Sequence, residues 1–173
     1  MRAGKYQEAD ELFRCAIVLN PEKAPTLDSV QQQLIPLIKT ENAQGKQKIG
    51  MQAFEEKRFK DALQYLTEAI NLLPEGSTHL ATYYSDRASV HIELKEFENA
   101  ISNCEQALQI NADYGPAFFR LGAANFGLEK LDEAHQNYEK AVKNDSSLSD
   151  QVNEISLQLK FIFSSMITYL PTL

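Results

Sequence analysis

One pattern recurs four times in this chain and limits what it can become. Tyr6 to Ile17 reads Y-x-x-A-x-x-x-F-x-x-A-I, and Phe59 to Ile70 reads F-x-x-A-x-x-x-L-x-x-A-I. Phe97 to Leu108 reads F-x-x-A-x-x-x-C-x-x-A-L, and Leu131 to Val142 reads L-x-x-A-x-x-x-Y-x-x-A-V. Ala100 and Ala134 are 34 residues apart, and so are Ala107 and Ala141. Ala62 and Ala100 are 38 apart, one period with four residues inserted near Gly76–His79. Offsets 0, 3, 7, 10 and 11 fall on one face of a 3.6-residue helix. The two Ala of each copy leave room for a neighbouring helix, and the larger residue between them plugs the gap.

A second amphipathic helix precedes each complete copy. One holds Ile49, Gly50, Ala53 and Phe54; the next holds Tyr84, Ala88 and Ile92; the last holds Phe118, Leu121, Gly122 and Phe126. A low content of turn-formers, 7 Gly and 6 Pro in 173 residues, also favours long helices over many short strands. A stack of helical hairpins is therefore expected.

Helix–turn–helix units of 34 residues with this Ala and aromatic pattern resemble tetratricopeptide (TPR) repeats. The resemblance implies an all-α, right-handed helical-hairpin solenoid with a C-terminal capping helix. It places complete units at 43–76, 81–114 and 115–148, with an insertion at 77–80. Counting within units, the small residue at position 8 is Gly50, Ala88 and Gly122. The Ala at position 20 is Ala62, Ala100 and Ala134; that at position 27 is Ala69, Ala107 and Ala141. The closing Pro survives as Pro74 and, in the partial copy, Pro21; Ala112 and Ser146 replace it elsewhere. The Trp usual at position 4 is Lys46, Tyr84 and Phe118.

Residues 1–21 supply a second helix without its partner, as expected of a piece of a longer repeat protein or of a start that uses this helix as a cap. Residues 22–42 read as a connecting helix, part of one long helix over 26–56 broken or kinked at Pro36. The cap and apolar tail occupy 149–173. Leu148, Val152, Ile155, Leu159 and Ile162 form its apolar stripe, opposite Asp150, Glu154, Gln158 and Lys160. The tail Phe161–Leu173 is expected to continue the cap and end in disorder.

Catalytic chemistry is not expected. His79, His91 and His135 fall on different helices, and His91 takes a packing position. Cys15 and Cys104 offer no CxxC pair and no closed zinc site. Cys104 sits at the plug position, where a thiol acts as a small hydrophobe. Neither a phosphate loop nor a nucleophile elbow occurs. The expectation is no enzyme, no cofactor and no metal, in a reduced, cytoplasmic protein. The net charge of -7 disfavours nucleic acid and anionic membrane surfaces as partners. No apolar run reaches the ~20 residues a spanning helix needs.

In TPR proteins the first helix of each unit lines a concave groove. Its groove positions here bring Gln47, Lys48, Met51 and Phe54; Ser85, Asp86, Ser89 and Ile92; and Pro116, Phe119, Arg120, Ala123 and Phe126. These are the candidate peptide-groove residues. The insertion between the first two units, and the Y-S-D-R-A run at 84–88, resemble TPR segments of Hop-like and J-domain co-chaperones. That resemblance implies an adaptor whose partner is a protein or peptide segment, a heat-shock chaperone tail among the candidates. Such modules hold an acidic C-terminus through a clamp of Lys, Asn, Asn, Lys and Arg. Those positions are Gln47, Met51, Asp86, Pro116 and Arg120 here, and Arg120 alone keeps the family residue. A structural scaffold segment without tail binding is the competing expectation.

Overall fold

A computed structural model describes residues 3–19 and 21–157. The described residues form helices and turns: α1 (Ala3–Leu19), a 3-10 turn at Pro21–Lys23, α2 (Ala24–Glu55), α3 (Phe59–Leu72), α4 (His79–Glu93), α5 (Phe97–Ile110), α6 (Gly115–Gly127) and α7 (Leu131–Asn144). A second 3-10 turn, Ser146–Leu148, leads into α8 over 149–157. Neighbouring helices pack as antiparallel hairpins, α2 on α3, α4 on α5 and α6 on α7, with α4 also touching α6.

Small side chains make this packing possible. Ala62, Ala69, Ala100, Ala107, Ala134 and Ala141 are all buried. Ala62 joins Leu66, Ala53 and Val90 in one cluster; Ala100 joins Cys104, Ala88 and Ala124 in the next. Ala134, Tyr138 and Val152 form the last, with Phe119, Val142 and Ile155 around them. Val152 comes from α8, so the start of the expected cap covers the last hairpin. The rest of that helix and the tail Phe161–Leu173 lie outside the described residues.

The three hairpin turns are built alike. Lys57, Lys95 and Glu129, all at position 15 of their units, have φ of 60°, 59° and 61°. Each closes its helix with two backbone bonds, such as Lys95 N–H to the Ile92 carbonyl and Glu96 N–H to the His91 carbonyl. This is the Schellman arrangement, which satisfies carbonyls that the helix end leaves unpaired.

The long helix expected over 26–56 forms, and of the break or kink expected at Pro36 the break does not occur: α2 runs through it as one helix. Proline removes one N–H from the helix ladder. The carbonyl that loses its helical donor is that of Gln32, which is exposed, while Thr40 Oγ1 adds a separate bond to the Pro36 carbonyl at 2.8 Å. Packing of α1 along α2 supplies the tertiary support that such a helix needs.

Candidate functional site

The first helices of the hairpins present one face to a cavity of about 500 Å³. Met51 and Phe54 come from α2, and Ser89, Ile92 and Glu93 from α4. Pro116, Phe119, Arg120 and Ala123 come from α6, and Leu148 and Gln151 close the end toward the cap. The wall is mainly apolar. Phe119 is fixed from behind by the edge of the Tyr138 ring, 5.5 Å between centroids, and Phe54 leans on Phe59 at 5.9 Å. A preformed apolar wall suits side chains delivered by another chain.

Beside this wall lies a polar network that ties three helices together. Arg120 Nε donates to Ser89 Oγ, and Nη1 donates to Ser85 Oγ at 2.8 Å and to the Pro116 carbonyl at 3.3 Å. Its Nη2 lies 3.5 Å from Asp86 Oδ1. Asp86 Oδ2 accepts from Gln47 Nε2 at 2.7 Å. Asp86 is 7% exposed, and Ser85 is wholly buried. Burial raises the Asp86 pKa above the ordinary carboxylate value, partly offset by the Gln47 hydrogen bond and the Arg120 charge. The guanidinium is thus engaged by four neighbours of its own chain.

Of the expected groove residues, Met51, Phe54, Ser89, Ile92, Pro116, Phe119, Arg120 and Ala123 meet at the cavity. Gln47, Ser85 and Asp86 belong to the polar network instead. Lys48 and Phe126 are exposed and stand outside the cavity wall. Glu93, Leu148 and Gln151 were not singled out from the sequence. Glu93 directly follows Ile92 on α4, so the same helical spacing places it beside the groove. Leu148 reads as part of the cap stripe, and nothing in the sequence marks Gln151.

The two thiols are free, Cys15 exposed and Cys104 buried. Burial pushes the Cys104 pKa up to about 12, so it is an inert, apolar plug. His91 is mostly buried and bonds through Nδ1 to Glu96 Oε2 at 2.7 Å, across the α4–α5 turn. No described helix is long and apolar enough to cross a membrane.

The family profile described as Tetratricopeptide repeat matches residues 81–114 and 115–147. The Arabidopsis OM64 TPR domain is 30% identical, with a TM-score of 0.57, over 62% of this chain and 86% of that one. The chain belongs to the tetratricopeptide repeat family. The first TPR of Spaghetti (RPAP3), solved bound to the HSP90 peptide SRMEEVD, is 27% identical with a TM-score of 0.58, over 70% of this chain and 95% of that one. Heat shock protein STI1 of Saccharomyces cerevisiae is 37% identical over 98 residues, which are 57% of this chain and 16% of that protein. The TPR chain thus spans about a sixth of the length of that curated relative. Its hairpins resemble those of these TPR domains, and their first helices line the cavity.

Proposed function

We propose that this TPR chain is a non-catalytic protein-interaction adaptor of the co-chaperone type. Its groove takes an internal segment of a partner protein in place of an acidic C-terminal tail. The observation that carries this reading is the Gln47–Asp86–Arg120 network beside an apolar cavity. The cavity offers contact area for apolar side chains. The network engages Arg120, the clamp cation that the chain retains, and sets a carboxylate where an incoming tail would need a donor. Kinship with TPR domains solved on chaperone peptides supports the adaptor role and the concave site. A reducing, cytoplasmic setting goes with the reading, since both cysteines, Cys15 and Cys104, are free thiols.

The test is selection from two displayed libraries of random dodecapeptides, one held at both ends and one with free C-termini. Ala123→Trp fills the cavity from its half-buried wall and serves as the counter-target, its fold checked by circular dichroism. Enrichment from the tethered library that is lost on Ala123→Trp supports the reading. Enrichment confined to free acidic C-termini, or none that depends on the cavity, overturns it.

A further inference from the structure

One charge on the cavity wall is unmatched, and it says what kind of segment fits. Arg120 lies against Asp86 and donates to Ser85, Ser89 and the Pro116 carbonyl, so its charge is matched within the chain. Glu93 is the other charged residue of the wall. It is exposed, and among the described residues it forms no ion pair. At the same register on α2 stands Glu55, also exposed. Lys48 lies two turns nearer the N-terminal end of α2 and outside the cavity wall. On the cavity wall itself, Phe54 and Ile92 thus stand beside one carboxylate, Glu93, that has no counter-charge on that wall, the nearby cations Lys57, Arg58 and Lys60 lying on the far side at the α2–α3 turn. The whole chain carries -7. Complementary charge steers encounter and rejects partners of the wrong sign.

We propose that the groove recognises an internal segment in which a Lys or Arg stands beside bulky apolar side chains. The cation faces Glu93, and the apolar side chains fill the space between Phe54, Ile92 and Phe119. The preference is opposite in sign to that expected of a groove that holds an acidic tail such as SRMEEVD. The inference rests on the groove reading above and adds the partner's chemistry to it.

The test uses the dodecapeptides recovered from the tethered library, measured by fluorescence anisotropy on the whole chain. Lys and Arg should be enriched next to Leu, Ile, Phe or Met relative to the unselected pool. Glu93→Lys should weaken the tightest of these peptides by about five-fold or more, and Glu93→Gln by about two- to three-fold, in keeping with an exposed charge pair. Both losses should shrink as salt rises, because exposed charges are screened. Cavity-dependent peptides that are acidic, that show no charge preference, or that ignore Glu93→Lys would overturn this inference and leave the groove reading standing. Absence of any peptide blocked by Ala123→Trp would overturn both.

Discussion

The ring of Tyr138 lies directly on the backbone of Gly122, so close that a Cβ there would stand 2.9 Å from Cδ1 and Cε1. Leu66 treats Gly50 in the same way, with its Cγ 3.0 Å from where a Cβ would be. In the middle hairpin the same two positions hold Ala88 and Cys104, both fully buried in one cluster. A large plug faces Gly and a small plug faces Ala, so the volume at each crossing is conserved while its parts are exchanged. Gly122→Ala should overpack against Tyr138 and cost roughly 1–3 kcal/mol despite the better helix propensity of Ala. Cys104→Leu should destabilise for the same reason, and adding Ala88→Gly should recover part of the loss. In a double-mutant cycle by urea unfolding the pair should couple favourably by about 0.5–3 kcal/mol. Additivity of the two changes would contradict the exchange of volume.

The hairpin turns offer a second measurement. Lys57, Lys95 and Glu129 hold left-handed backbone where a Cβ costs about 1–2 kcal/mol. Replacing each by Gly removes that cost but gives the unfolded chain more freedom. The expected balance is a gain of up to ~1 kcal/mol per turn, visible as a higher urea midpoint. Lys95→Val should lose about 1–2 kcal/mol, since a branched Cβ fits this region worse.

The helical hairpins and the Ala contacts were legible because they rest on helical periodicity and residue size, which are local. Eight of the thirteen expected groove positions line the cavity for the same reason: residue position on a helix fixes its direction. What periodicity cannot show is which polar side chains turn to each other. Asp86 and Arg120 share position 6 of adjacent units, but their pairing, with Gln47, Ser85 and Ser89 joining them, depends on three helices meeting at one place. The long helix α2 was legible too, but whether Pro36 would break it was not, because packing by α1 supports it from outside the local sequence.

Asp86 makes stability depend on pH with a definite sign. Burial raises its pKa in the folded chain above the unfolded value of about 3.9. Between those two values the folded state holds more proton than the unfolded one, so this group's contribution falls as pH rises. Asp86→Asn removes that titration. The stability of the Asn variant relative to the parent should therefore increase as pH rises from about 3.9 through the folded pKa, then level off. Urea unfolding of both proteins across this window measures it. A relative stability that stays flat, or that moves the opposite way, would show that the pairing with Gln47 and Arg120 outweighs burial.

The last prediction concerns the acidic tail that the solved relative holds. Met51 and Pro116 have no side-chain donors to offer a carboxylate. Gln47 spends its amide on Asp86, and the Asp86 carboxylate repels an approaching anion. Arg120 would have to leave Ser85, Ser89 and the Pro116 carbonyl to reach a ligand. Each charge-assisted bond that is missing removes ~1.5–3 kcal/mol, so four absent donors leave little affinity. Titration calorimetry with the heptapeptide SRMEEVD should give no saturable binding to the parent chain in the micromolar range. The combined variant Gln47→Lys, Met51→Asn, Asp86→Asn and Pro116→Lys should bind it measurably. That variant supplies four donors and takes away the charge that holds Arg120, at the small cost of a proline at the start of α6. Because the gain depends on Arg120 being released, adding Arg120→Ala to the combined variant should abolish most of it. Tight binding of the heptapeptide by the parent chain would mean that the Asp86–Arg120 pair opens readily and that the groove accepts acidic tails after all.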